Sequence, residues 1–322
     1  MISLDFELFW GVRDLYTKEQ YGANILGARL AIPKMIALFN EFGVRTTFAT
    51  VGMLFFETRE ELLASIPSRQ PSYRDKRLSP YDGYLRTLGA NEEEDPYHFG
   101  ASLISQIKES GHEIGCHTFS HYYCLEPGQT LDEFHADLVA AKETAARSRV
   151  ELNSLVFPRN QYSDEHLAIC AREGILTYRG NEKTWSTAPR RSAAQTRGVR
   201  AMRLMDSYLN LTGHHAFELG KTESAIVNIP SSRFLRPFTP RFRLLENLRL
   251  KRITNAMTFA ARNNRGYHLW WHPHNFGLHL DENLLFLRQV LEKYRALARD
   301  FGFTSMTMES LARMRNAVEH KN

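Results

Sequence analysis

The sequence predicts an α/β fold, a barrel-like single domain on a parallel sheet, and three observations carry that expectation. The chain opens with a strand pattern, follows it with an amphipathic helix and then a β-branched strand, and this order argues a right-handed parallel unit. The same rhythm returns toward the C-terminus. A length of 322 residues suits one α/β barrel-like domain with a large core.

The first element is Ile2-Ser3-Leu4-Asp5-Phe6-Glu7-Leu8, where apolar and polar residues alternate. Successive strand side chains point to opposite faces, so Asp5 and Glu7 share one face and the apolar set packs on the other. Residues 11–27, with several glycines, read as a loop, and residues 28–42 as a helix with Pro33 in its first turns. Gly43 stops that helix, and residues 44–51 form the next strand. Residues 58–98 carry four prolines and an acidic run and read as an insertion over the barrel mouth. A helix over 99–110 leads to a short strand, and residues 130–149 form a helix in which Thr130 and Glu133 make a capping box. A strand over 154–161 that ends in a polar loop and a strand at 175–178 flank a helix at 164–173. A second insertion near 181–255 holds one strand, 225–230. The end reads as strand 267–271, helix 282–301, strand 304–306 and a closing helix from Met308.

Gly111-His112-Glu113-Ile114-Gly115-Cys116-His117-Thr118-Phe119-Ser120-His121 presents two imidazoles four residues apart directly after a short strand. With 13 His in the chain, about half of one such pair is expected by chance, and His268/His272 shows the same spacing. The Gly-bounded strand before His117, the polar loop between the two His and the consistent order of the other motifs along the chain separate this pair from coincidence. Two His and a carboxylate with an open position form a known ligand set for catalytic zinc. The plainer reading of Asp5 and Glu7 is an exposed polar strand face.

Hydrophobic residues make up 43% and charged residues 24%, as in a globular protein, and no apolar run is long enough to cross a bilayer. A strand starting at residue 2 leaves no room for a signal peptide, so the expected location is the cytoplasm, including the inner face of the membrane. Three cysteines in no paired pattern suit a reducing compartment, and Cys116 reads as a small core residue. The net charge of +5 concentrates in two regions. Lys183, Arg190, Arg191, Arg197, Arg200 and Arg203 form one; Arg233, Arg236, Arg241, Arg243, Arg249, Lys251 and Arg252 form the other. Either they are a solvated rim, or they grip an anionic substrate such as a nucleotide sugar or lipid pyrophosphate. No nucleic-acid module is recognisable.

The order of these motifs resembles the polysaccharide deacetylase family (NodB-like), and the resemblance runs from Leu4 to about Leu311. It implies an incomplete or distorted (β/α)7 barrel with its active site at the carboxyl ends of the strands. Leu4-Asp5-Phe6-Glu7 is similar to the family's first motif, with a spacer and a Glu in place of adjacent aspartates. The resemblance implies Asp5 as catalytic base and Glu7 as metal ligand, with Asp5 the alternative ligand. His117-Thr118-Phe119-Ser120-His121 resembles the family's H-[ST]-x-x-H metal motif. Phe157-Pro158-Arg159 is similar to the loop whose Arg orients the base, without the usual Pro-Tyr. Trp271-His272-Pro273-His274 resembles the last motif, with His272 as general acid. Asn160, Trp271 and His274 are then expected to bind substrate, the first through a backbone N–H on the oxyanion. One of Trp270 and Trp271 is expected in the core and the other as a sugar-stacking wall. Asp206 is a weak match to a remaining Asp motif. The implied cofactor is a divalent metal, Zn2+ by preference, and the implied reaction removes an acyl group, N-acetyl above all, from a sugar in a nucleotide- or lipid-linked precursor of surface polysaccharide. Two alternatives are a cyclic imide or ureide hydrolase on the same barrel and a non-catalytic carbohydrate-binding homologue.

Overall fold

The computed structural model describes residues 1–182, 202, 204–218 and 225–319. Among them eight parallel strands form one sheet in the order β6-β5-β4-β3-β2-β1-β8-β7. The strands are β1 (Ile2–Phe6), β2 (Thr47–Thr50), β3 (Glu113–Cys116), β4 (Ser154–Leu155), β5 (Thr177–Gly180), β6 (Val227–Pro230), β7 (Arg233–Phe234) and β8 (Leu269–Trp271). The two ends of this order, β6 and β7, are separated in the chain by Ser231 and Ser232 alone. Their first half pairs with β5 and their second with β8, where the Ser232 N–H donates to His268 O and the Leu235 N–H to Trp270 O. One bent strand therefore draws the edges together, and the sheet curls into a seven-position half-barrel, as expected.

Helices α1 (Lys18–Glu41), α2 (Arg59–Ala64), α3 (Ala101–Glu109), α4 (Leu131–Arg147), α5 (Asp164–Arg172), α6 (Glu246–Arg262) and α7 (Leu280–Phe301) follow the strands; α8 (Met308–Glu319) closes the chain. The outer face of the sheet packs against them through Leu4, Phe48, Ile114 and Trp271. The inner face is filled by Ala49, Val156, Val227 and Ile229, and Met308, Leu311 and Ala312 of α8 plug its base. Glu113 seats that plug: its carboxylate accepts from the Thr47 hydroxyl at 2.7 Å and the Glu309 N–H at 3.1 Å. Polar groups are left for the opposite, carboxyl end of the strands.

Two expectations fail. The loop expected over 11–27 is mostly helix, because α1 starts at Lys18, where the Thr17 N–H donates to Gln20 Oε1 at 3.0 Å. Its glycines mark close packing instead: Gly22 lies under the Tyr97 ring and Gly27 against the backbone of Gly277. In consequence Pro33 lies inside the helix. By length and composition α1 is apolar enough to span a membrane, but 56% of that window is buried within the fold. The strand expected at 304–306 is absent because both sheet positions beside β1 belong to β2 and β8. The capping box at Thr130 and Glu133 is present. The expected strand at 175–178 lies two residues later, which brings Arg179 into the sheet.

The Gly27–Gly277 crossing sets how closely α1 approaches the turn after β8. A Cβ at Gly27 would overlap the Gly277 carbonyl. Gly27→Ala is expected to lose about 1–3 kcal/mol through overpacking; an unchanged urea midpoint would show that the contact yields freely.

Candidate active site

Glu7 follows β1, and His117 and His121 follow β3, so all three sit at the carboxyl end of the half-barrel. All are buried. Glu7 Oε2 lies 3.0 Å from His121 Nε2 and 3.3 Å from His117 Nε2. The chain reaches this geometry through a tight loop in which Thr118 and His121 have φ of 62° and 60°, an uncommon conformation for residues other than glycine. Asp137 of α4 holds the loop: its carboxylate accepts from the Phe119 N–H at 2.7 Å, the Ser120 N–H at 3.1 Å and the Ser120 hydroxyl. The Thr118 hydroxyl accepts from the Tyr122 N–H at 2.7 Å.

The electrostatics suit a cation. Burial alone would raise the Glu7 carboxyl, but His272, His117 and His121 hold it well below the usual range. Burial pushes the His121 imidazole down to about 4 against the pull of Glu7, so the ring is neutral near pH 7. The His117 Nδ1–H donates to Val156 O at 2.7 Å, which leaves the Nε2 lone pair facing Glu7. The three ligand atoms lie within 4.8 Å of one another. A carboxylate and two imidazoles, one oriented by a carbonyl, fit a divalent metal, and nearby Asp5 is committed elsewhere.

Asp5 and Arg179 form a two-pronged buried pair, Nη1–Oδ1 at 2.6 Å and Nη2–Oδ2 at 2.7 Å. Burial raises the Asp5 carboxyl, and the Arg179 guanidinium, together with His272 and His117, more than reverses that shift. Arg179 also donates to Ser3 Oγ at 3.0 Å and Asn160 Oδ1 at 3.3 Å, and its guanidinium lies 4.2 Å from the Trp270 ring centroid. Ser3 Oγ lies 2.8 Å from Nε2 of His268, so the second spaced His supports this pair from below.

Several sequence expectations change here. Arg159 does not reach Asp5; it is bonded to Asp14 and lies 4.1 Å from the Tyr123 ring centroid. Arg159 and Asn160 both have φ of 53°, a turn that carries the Arg159 side chain toward Asp14. The Asn160 N–H is spent on Phe157 O at 2.8 Å, so it is not directed at an oxyanion; the side chain contributes by accepting from Arg179. Trp271 is fully buried and stacks on Phe276 with centroids 5.6 Å apart. Register explains the exchange: Trp271 is level with apolar Leu4, whereas Trp270 is level with Ser3 and faces the interior. Trp270, 4.8 Å from Phe234 and 5.7 Å from His272 by ring centroids, is the site's aromatic wall.

His272 Nε2 lies 3.7 Å from both Asp5 Oδ2 and Glu7 Oε1, and its side chain is 24% exposed, far more than either carboxylate. Its Nδ1 faces Asn275 Oδ1 at 3.3 Å. His274 is buried, stacks on His272 with centroids 4.9 Å apart, and lies 3.9 Å from Glu7. Burial lowers it to about 3, so it packs behind the cluster as a neutral ring rather than at the mouth. Asp206 is remote from the cluster in its bonding and pairs with Arg233 and Arg252. The basic set from Lys183 to Arg203 lies outside the described residues.

Burial raises the Asp137 carboxyl from 3.8 to about 6 against its three donors. Its contribution to stability is therefore full below pH 3.8 and is lost as pH rises through about 6. In Asp137→Asn this loss is absent, so the variant should gain on the parent protein between those pH values; parallel urea midpoints across that range test it.

Residues 26–177 match the family model described as polysaccharide deacetylase. That span holds His117, His121 and Arg159, while Asp5, Glu7, Arg179 and His272 lie outside it. No curated protein matches the chain. Among solved structures, a putative polysaccharide deacetylase from Mycobacterium smegmatis is 15% identical with a TM-score of 0.57, covering 99% of this chain and 91% of its own. A probable polysaccharide deacetylase from Pseudomonas aeruginosa PAO1 is 10% identical with a TM-score of 0.55, covering 99% and 85%. Puue allantoinase is 11% identical with a TM-score of 0.55, covering 98% and 83%. The chain thus shares the half-barrel fold of these proteins along its length, and over residues 26–177 it carries the polysaccharide deacetylase family's own sequence pattern.

Proposed function

We propose that the protein is a metal-dependent hydrolase that removes an acyl group, N-acetyl by preference, from an amino sugar in a nucleotide- or lipid-linked precursor of surface polysaccharide on the cytoplasmic side. The observation that carries the reading is the convergence of Glu7, His117 and His121 beside the Asp5–Arg179 pair and His272. Glu7, His117 and His121 would hold the ion, with Zn2+ the expected occupant of a mixed N/O set. Such an ion supplies Lewis acidity, drawing the pKa of water toward 7 and polarising an acyl oxygen.

The remaining steps belong to the chain's own side chains. Asp5, kept ionised by Arg179, takes the proton of the attacking water. His272 is the group of the cluster that reaches solvent, and its Nε2 faces both carboxylates. It delivers a proton to the departing amine, with its Nδ1 set against Asn275 Oδ1 at 3.3 Å. Trp270 offers a face for the sugar ring, as aromatic walls do for carbohydrate. Arg159, its charge matched by Asp14, lies on the Tyr123 ring beside His121 and takes no part in orienting Asp5.

His117→Ala should lose both tightly held metal and acetate release, whereas Asp5→Asn should retain the ion and lose at least a hundredfold in kcat. Metal content by elemental analysis and acetate release from a panel of N-acetylated amino-sugar donors measure the two separately. A panel that includes cyclic ureides and imides, and shows turnover of those alone, would replace the sugar reading. A protein that takes up no metal after loading would favour a non-catalytic binding role.

A further inference from the structure

The basic region over residues 233–252 divides into two populations. Arg233, Arg249 and Arg252 are buried, paired with Asp206 or Glu246, and tie α6 to the sheet. Arg241, Arg243 and Lys251 are exposed and have no ion-pair partner among the described residues. Between them stand Leu244, in the 3-10 turn before α6, and Leu248, in the first turn of α6, 86% and 41% exposed. The Tyr208 and Phe242 rings, 6.2 Å apart, and the Arg236–Ser207 bond of 2.7 Å join a second segment to this surface. That segment adds Leu209 and Leu211, 51% and 49% exposed.

We propose that this surface docks the protein onto an anionic lipid bilayer. Exposed leucines interleaved with unpaired cations form the pattern of an interfacial segment, in which apolar side chains enter the headgroup boundary and cations meet lipid phosphates. The charge decides the occupant. A second copy of the chain would bring these same cations against one another, whereas a bilayer rich in acidic headgroups neutralises them. Position gives the surface a use: the segment leaves the barrel at the carboxyl end of β7, where the Phe234 ring lies 6.0 Å from that of His272. Docking there turns the catalytic mouth toward the lipid surface, where a lipid-linked sugar would lie. The inference goes beyond the hydrolase reading and stands without it, since binding is read with no substrate present.

Co-sedimentation of the full chain with phosphatidylcholine vesicles, with and without phosphatidylglycerol, tests it. Binding is expected to the mixed vesicles alone and to weaken with added salt. Arg241→Gln/Arg243→Gln/Lys251→Gln should bind them on the order of a hundredfold more weakly, and Leu244→Ser/Leu248→Ser should also lose binding. Circular dichroism checks that the variants fold, and hydrolysis of a soluble acetylated sugar should be unchanged. Equal binding to both vesicle types, no binding by the parent protein, or undiminished binding by the charge variant would overturn the proposal. So would concentration-dependent dimerisation abolished by the leucine substitutions.

Discussion

The Glu7 carboxylate, buried between two imidazoles, is the constraint around which the carboxyl end of the barrel is arranged. A dry carboxylate without compensating positive charge costs several kcal/mol, and the neutral His121 ring supplies none, so the arrangement suits a cation held among the three side chains. His117 and His121 are brought there by a loop with two residues at positive φ, and that backbone conformation is itself unfavourable. Asp137 offsets the cost by accepting from two loop amides and a hydroxyl. One buried acid in α4 thereby fixes the shape of the loop that surrounds another.

The same economy governs Asp5. Its two oxygens are matched by the two Nη atoms of Arg179, and Arg179 is matched in turn by Ser3, Asn160 and the Trp270 face. A fork-to-fork pair fixes direction as well as charge. Asp5 is thus ionised, held by two bonds and near His272, while Glu7 meets imidazoles and no Arg among the described residues. Two carboxylates two residues apart acquire different work because one faces a guanidinium and the other faces imidazoles.

Much of this was legible in the sequence, for identifiable reasons. Alternation in the first strand placed Asp5 and Glu7 together, and Thr130 with Glu133 announced α4. His117 and His121 stood out because a strand preceded them and a turn-forming polar loop joined them. Arg179 was missed because the strand was expected to end at residue 178; the signal was a lone Arg before Gly180 in an otherwise uncharged run. Arg159 was given its role because a motif ranks residues by order in the chain, whereas pairing depends on where a positive-φ turn sends the side chain. The choice between Trp270 and Trp271 required strand register, which adjacent residues in one strand cannot reveal without their neighbour. Asp137 left one trace, an acidic residue on the apolar stripe of α4.

The seam of the barrel links these features. Because β6 and β7 are one strand bent at Ser231–Ser232, the chain crosses from the β5 edge to the β8 edge within two residues. On the first side it pairs with β5 beside Arg179, and on the second it pairs with β8 beside Trp270. Both partners of the Arg179–Trp270 contact are therefore held by consecutive parts of the same strand. Widening the seam would pull the guanidinium off the indole and loosen its hold on Asp5. The strand then runs past Phe234, whose ring lies 6.0 Å from that of His272, into the basic, leucine-bearing turn before α6, so the turn and the site share one continuous stretch of chain.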